Sequence, residues 1–178
     1  MARSVVIAGA SGVVGNAALE RYLAAGWDVV ALSRRRPETD STREFVHISV
    51  DLRDADATRA ALGDLRGVNQ LFYAALYEQP GLVPGWSDQE QMTTNLLMLT
   101  NTVESLAGAG LGNVVLLQGT KAYGVHLMPL RIPAKERQPR VVHENFYWLQ
   151  EDYLTGRSAE RGFSFTILRP QFIFGGVV

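Results

Sequence analysis

Gly9, Gly12 and Gly15 stand three apart, directly after the apolar run Val5-Val6-Ile7-Ala8 and directly before a helical pattern. That order builds a cradle for a pyrophosphate. Gly9, lacking a Cβ, can take the sharp turn off a strand. Gly12 lets the backbone approach a phosphate, and Gly15 lets the new helix pack closely on the strand. The helix start offers free N–H groups and the positive end of its dipole to an anion, so the cradle also includes Ser11, Val13 and Val14. An ordinary strand-turn-helix shares the glycine spacing; the position right after the first strand favours the cradle.

A dinucleotide needs a second grip. After the next apolar run comes Ser33-Arg34-Arg35-Arg36, with no acid. An acid at this point would hold the adenosine ribose of NAD, whereas a basic residue accommodates the 2′-phosphate of NADP. A guanidinium suits that phosphate because its planar fork donates paired hydrogen bonds and keeps its charge. The alternative for this run is a solvated charged patch. Closeness to the glycine loop favours NADP(H), gripped by Ser33, Arg34 and Arg35. Asp51-Leu52 is expected to reach the adenine, with Asp51 capping its amine. Ala74 and Ala75 are small enough for the dinucleotide to lie against the backbone.

Reduction of an oxygenated substrate also needs groups that meet charge developing on oxygen. Many short-chain dehydrogenases use Tyr-x-x-x-Lys on one helix face. Here Tyr147 is followed four residues on by Glu151, and Tyr153 by Arg157. The lysine nearest to such a role is Lys121, just past an apolar run at 113–118, where a parallel sheet binds its ligands. Between Lys121 and the Tyr147 region lies a long stretch punctuated by Pro129, Pro133 and Pro139. A loop of that length, 121–143, is expected to belong to the active site.

These residues require a scaffold, and the sequence alternates strand and helix patterns. Strands are expected at 4–8, 28–32, 45–50, 68–74, 113–118 and 163–168. The first helix ends near Gly26 and is expected to bury Val13, Val14, Ala17, Ala18 and Leu23. A short helix covers 54–65, with Asp54 as its N-cap. A long helix shows Met92, Leu96, Leu99, Val103 and Leu106 at helical spacing. A last helix covers 144–161. Such alternation predicts an α/β Rossmann fold: one domain over 1–178, a doubly wound parallel sheet of strand order 3-2-1-4-5-6, and helices on both faces.

Two segments carry a closer likeness. Gln118-Gly119-Thr120-Lys121-Ala122-Tyr123 resembles the lysine motif of the progesterone 5β-reductase/iridoid synthase-like enzymes, atypical members of the extended short-chain dehydrogenase/reductase superfamily. Asn145-Phe146-Tyr147-Trp148-Leu149-Gln150-Glu151-Asp152 resembles their Asn-Phe-Tyr-Tyr-x-x-Glu-Asp motif. Pro133, Glu136, Pro139 and Arg140 are similar to the loop before it, and 95–101 to a segment of their long helix. Arg169-Pro170 and Phe174-Gly175 are similar to the end of their sixth strand. Trp148 stands for the second tyrosine and Ala122 for the usual histidine, a change expected to alter the pocket.

The resemblance implies an NADPH-dependent reductase of activated alkenes, chiefly enones. Hydride from nicotinamide C4 would reach the β-carbon, and the carbonyl oxygen would become an enolate held by Lys121 and Tyr147. Gln118 and Tyr147 would also touch the cofactor, and the Lys121 ammonium would favour ionisation of the phenol. In that family the chain continues past Phe174-Gly175 into a part that covers the substrate, which this sequence is expected to lack. Carbonyl reduction or nucleotide-sugar chemistry, and a non-catalytic NADP-binding module or redox sensor, are the alternatives.

Bulk composition narrows the classes. The net charge is −1, and hydrophobic residues make up 47%. Nothing in that balance favours nucleic acid or an anionic membrane as partner. No apolar run approaches the ~20 residues of a membrane span. The absence of cysteine removes disulfides, thiolate zinc sites and cysteine nucleophiles, and makes a cytoplasmic location the default. His47, His126 and His143 lack the spacing of a metal site, so no metal is expected, and His47 reads as structural. Trp86 and Trp148 read as packing residues, Trp86 with a place at the pocket mouth. Tyr123-Gly124 reads as a turn in preference to a nicotinamide neighbour. The apolar tail from Phe172 predicts self-association.

Overall fold

The computed structural model describes residues 3–79 and 88–175. Its elements in chain order are β1 (Ser4–Ala8), α1 (Val13–Ala24), β2 (Asp28–Leu32), β3 (Val46–Ile48), α2 (Ala55–Leu62) and β4 (Gln70–Tyr73). Then come α3 (Gln89–Ser105), β5 (Asn113–Leu117), a 3-10 turn (Thr120–Tyr123), α4 (Phe146–Arg161) and β6 (Ser164–Leu168). The sheet is parallel in the expected order, β3-β2-β1-β4-β5-β6. Because β1 pairs with both β2 and β4, the chain reverses its winding beside β1, where such sheets open a crevice for ligands.

Two apolar clusters hold the layers together. On one face, Leu62 of α2, Leu99 and Val103 of α3, and Leu154 of α4 pack against Val6, Leu71 and Val114. On the other face, Leu19 and Leu23 of α1 pack against Val5, Ile7 and Val29. Each of these leucines is fully buried, and such burial contributes roughly 1.5–3 kcal/mol per side chain.

The first helix turns differently from the expectation. Val13 and Ala17 are exposed and Val14 is half-buried, while Gly15, Ala18, Leu19 and Leu23 form the core side. The helix begins at the rim of the glycine loop, so its first turn faces outward before the stripe swings under the sheet. In α3, Met98 takes the buried place expected for Leu96, which is half-buried. The same helix also buries Gln91, Asn95, Asn101 and Thr102. The third strand is shorter than expected because it is an edge strand with Val46 largely exposed.

Local signals explain the ends of the elements. Asp54 caps α2 by accepting from the Asp56 and Ala57 amides. Asp88 caps α3, accepting from Gln91 N. The far half of α4 is pinned to α3 at Glu104, which accepts from Tyr153 Oη and Arg157 Nε, both at 2.7 Å, and also from Arg161. Burial pushes the Glu104 carboxyl up, but hydrogen bonds from Arg157 and Tyr153 hold it below its usual range. That anchor fixes the helix that carries Tyr147. Trp86 lies outside the described residues. Among the described residues, no helix is long and apolar enough to cross a membrane.

Candidate active site

The glycine loop divides its work among three positions. Gly9 adopts φ +81°, and its amide and that of Ala10 donate to Leu32 O at 3.0 and 3.1 Å, tying the turn to the end of β2. A Cβ on Gly9 would lie 2.7 Å from Ala75 N, and one on Gly15 would lie 2.1 Å from Gly9 O. Neither place admits a side chain. At Gly12 a Cβ would meet nothing closer than Gly9 O at 3.4 Å. Gly12 therefore borders open space. It is also the N-cap of α1, with no side-chain cap and no acid in the first turn, so the Val13 and Val14 amides and the positive helix end are left for an anion.

A groove of about 270 Å³ runs from this loop along the ends of β2 and β4. Gly9, Ser11 and Gly12 form one wall; Ser33, Arg34, Asp51 and Leu52 form the outer end; Ala74 and Ala75 form the floor. The sequence reading missed Leu32, Val50, Leu76 and Met98, which give this slot its apolar walls. Such walls between a helix N-terminus and an arginine suit a flat base flanked by phosphates, so the groove fits the adenosine end of a dinucleotide.

The basic end is shaped by hydrogen bonds. Ser33 Oγ donates to Arg35 O at 2.6 Å, and the His47 ring meets Ser33 O at 3.0 Å, which gives His47 its structural role. Arg34, Arg35 and Arg36 are exposed; Arg34 lines the groove, Arg35 does not, and Arg36 stacks on Phe45. Asp51 lines the groove with its carboxylate exposed, where it was expected to meet an adenine amine. It accepts from Arg53 at 2.6 Å, and that guanidinium holds its carboxyl below the usual range.

At the other end, the 3-10 turn after β5 carries Lys121 and closes at Gly124 with φ +74°, as a turn should. Asn145, the N-cap of α4, joins this turn to the helix. Its Nδ2 donates to Lys121 O at 3.1 Å, and its Oδ1 accepts from Tyr147 N at 2.9 Å. A Cβ on Gly119 would lie 3.5 Å from the Tyr147 hydroxyl, so the phenol reaches over the turn that holds the lysine. The long loop thus folds back and sets the turn of Lys121 against the first turn of the helix that carries Tyr147.

Gln118 does not line the groove. It is buried, with Nε2 donating to Tyr147 O at 3.0 Å and Oε1 accepting from Arg169 Nε at 2.9 Å. Arg169 continues to Glu151 at 2.6 Å. This residue, expected at the cofactor, braces the helix end behind Tyr147 instead.

Electrostatics correct another expectation. Burial pushes the Tyr147 phenol up to about 12, and the charge of Glu78 adds to the shift. The phenol is thus raised, and the lowering expected from the Lys121 ammonium does not enter the shift. Burial also lowers Lys121, against an opposing pull from Glu78. Glu78 arrives because α3 straps its loop: Asn95 Nδ2 donates to Tyr77 O, and Gln91 Oε1 accepts from Gln79 N at 2.8 Å. No local pattern in the sequence signals that strap. His126 and His143 also meet, with rings 5.1 Å apart, and burial lowers His126, followed by the charges of His143 and Lys121. Among the described residues, no group of three metal-ligating side chains gathers.

A second cavity of about 480 Å³ lies beside the N-terminus of α4, between Met92, Val141, Val142, Trp148 and Leu149. Arg140 lies 4.5 Å over the Trp148 ring, which supports the packing role expected for Trp148.

Comparison with known proteins fits this geometry. Residues 5–176 match the model of the NAD dependent epimerase/dehydratase family. The chain is 30% identical to 3-oxo-Delta(4,5)-steroid 5-beta-reductase of Arabidopsis thaliana, over 96% of this chain and 46% of that protein. It is 25% identical to (S)-8-oxocitronellyl enol synthase of Antirrhinum majus, over 96% of this chain and 46% of that one. The chain therefore spans about half the length of these relatives. Among solved structures, the UDP-Glc/GlcNAc 4-epimerase of Campylobacter jejuni superposes with a TM-score of 0.77 at 19% identity, covering 94% of this chain and 53% of that one. A short-chain dehydrogenase/reductase superfamily protein of Agrobacterium tumefaciens with bound NAD gives a TM-score of 0.74 at 17% identity, covering 94% of this chain and 48% of that one.

Proposed function

The chain belongs to the NAD dependent epimerase/dehydratase family, and from that premise we propose that it serves an NADPH-dependent reduction of activated alkenes, chiefly enones. The observation that carries this reading is the Tyr147 hydroxyl reaching over Gly119, in the turn that bears Lys121. The named relatives, a steroid 5-beta-reductase and an enol synthase, support the substrate class.

NADPH, when bound, supplies the hydride for the β-carbon of the alkene. The chain's own residues then act on the oxygen. As the alkene is reduced, negative charge moves through the conjugated system to the carbonyl oxygen. The Tyr147 phenol, kept protonated by burial, donates a hydrogen bond to that oxygen, and the Lys121 ammonium adds positive charge. Preorganised donors of this kind cost no reorganisation at the moment of reaction. Water then supplies the proton that completes the saturated carbonyl compound.

Mixing the protein with NADPH and a small enone, then identifying the product, tests this reading. A saturated ketone formed with loss of cofactor absorbance is the expected result. An allylic alcohol would assign carbonyl reduction, and no consumption despite tight NADPH binding would favour a binding module.

The preference for NADPH rests on Arg34 at the groove and on the absence of an acid after β2. Arg34→Ala is expected to weaken NADPH binding by about 10- to 100-fold, the size of one lost charge-assisted hydrogen bond. NADH binding should change little. Fluorescence titrations of both cofactors measure it, and equal losses for the two would refute the assignment.

A further inference from the structure

Asn145 is buried and uses both halves of its amide. The oxygen caps α4 through Tyr147 N, and the nitrogen reaches Lys121 O, 24 residues earlier. Capping alone does not require asparagine. Serine, threonine and aspartate cap as well. Only an amide offers a donor and an acceptor of this reach on one short side chain.

The orientation of the amide is fixed by its neighbours. The Lys121 carbonyl can only accept, so the nitrogen must face it; it already accepts from Gly124 N at 3.1 Å within the turn. His143 agrees with this. Its Nδ1 lies 3.1 Å from Val141 O, a pure acceptor, so Nδ1 carries the proton. Nε2 lies 3.4 Å from Asn145 Nδ2 and accepts there in the neutral tautomer. A flipped amide would set oxygen against the oxygen of the Lys121 carbonyl.

We infer that Asn145 is a positioning residue of the Lys121–Tyr147 pair, a buried amide that ties the carbonyl of the lysine itself to the first turn of the tyrosine's helix across the ends of the long loop. This rests on the reading of Lys121 and Tyr147 as the groups that meet the substrate oxygen. Neither the 3-10 turn nor the first turn of α4 is long enough to set that relation by itself. The segment between them, 124–145, contains no helix or strand. With the amide removed, each element keeps its local bonds and loses this direct tie; the Gln118 bond to Tyr147 O still holds the helix end to β5, and the lysine's turn is what is released.

The test uses Asn145→Ser, with Asn145→Thr as the second variant. A hydroxyl retains the cap at Tyr147 N and is too short to reach Lys121 O as well. The sequence holds two lysines, Lys121 and Lys135, so reductive methylation with ¹³C gives two assignable side-chain signals. In the folded variants the Lys121 signal should titrate closer to an ordinary lysine, because a released turn regains water, and the Lys135 signal should not move. In unmethylated protein, kcat for enone reduction should fall about 10- to 100-fold, the cost of a misplacement near 1 Å, with the KM for NADPH within about twofold. A purely structural cap would leave the titration and kcat as in the wild type, and that result overturns the inference. So does a shifted titration with unchanged kcat. If the wild type reduces no enone, the functional reading fails by itself, and the Lys121 titration still decides whether Asn145 holds the lysine in place.

Discussion

Tyr147→Phe should lower enone turnover by about 10²- to 10³-fold, the cost of one lost oxyanion donor, and leave NADPH affinity nearly unchanged. The phenol is held from two sides by the backbone of its own residue, through Asn145 at its amide and Gln118 at its carbonyl. Removing the hydroxyl should therefore leave the helix end in place. Lys121→Met should cost a similar factor. The double variant should cost far less than the product of the two, because both groups serve one oxygen. The pH profile separates their roles. Lys121 must be protonated to help, and burial lowers it from the ordinary 10.5. Activity should thus decline as pH rises through a value below 10.5, while Tyr147, raised to about 12, is still a phenol. That alkaline limb should persist in Tyr147→Phe and vanish in Lys121→Met. Stopped-flow turnover across pH 6–11, an ordinary working range for such assays, reads all three proteins. Wild-type turnover in either single variant would remove the residue concerned from the chemistry.

Much of this site is local in sequence, and that part was legible. The glycine loop is a contiguous segment whose three positions each answer to one nearby constraint: a left-handed turn, an open rim, and a helix packed on the turn. Strand order followed from alternation and from where the loop fell. The groove's arginine and its small-residue floor were readable for the same reason: each closes a strand already located. What escaped depends on partners far apart in the chain. Glu78 reaches the site only because buried Asn95 and Gln91 hold its loop. Asn145 was expected inside a helix covering 144–161; it is instead the N-cap, and its second bond spans 24 residues. Gln118 was expected at the cofactor from the resemblance of its motif, yet Arg169, 51 residues later, draws its amide behind Tyr147. Periodicity misled at Val13 and Ala17, where the helix stripe begins on the rim of the ligand loop before it turns under the sheet.

The other large effect is expected at Gly15. Replacing glycine by alanine within a helix ordinarily stabilises it by about 1 kcal/mol. Here the sign should reverse. A methyl at Gly15 would lie 2.1 Å from Gly9 O and 2.9 Å from Ala10 Cα, both backbone atoms that cannot swing aside. Gly9 O also accepts from Gly12 N at 3.0 Å, so moving it opens the whole turn. Overpacking of this kind costs about 1–3 kcal/mol or more, and the distorted loop should bind NADPH at least about tenfold more weakly. Gly12→Ala provides the contrast. Its methyl meets only Gly9 O at 3.4 Å, an ordinary contact, and it borders the groove. That variant should unfold within a few tenths to about 1 kcal/mol of the wild type, the usual difference between glycine and alanine at a cap. It should still lose NADPH affinity, because the methyl occupies the rim where a phosphate would approach. Thermal melts with and without NADPH separate the two cases. Gly15→Ala should melt early in the absence of cofactor, and Gly12→Ala should show its defect only as a missing shift on adding it. A Gly15→Ala protein as stable as the wild type would mean that the helix start is not packed against the turn as described.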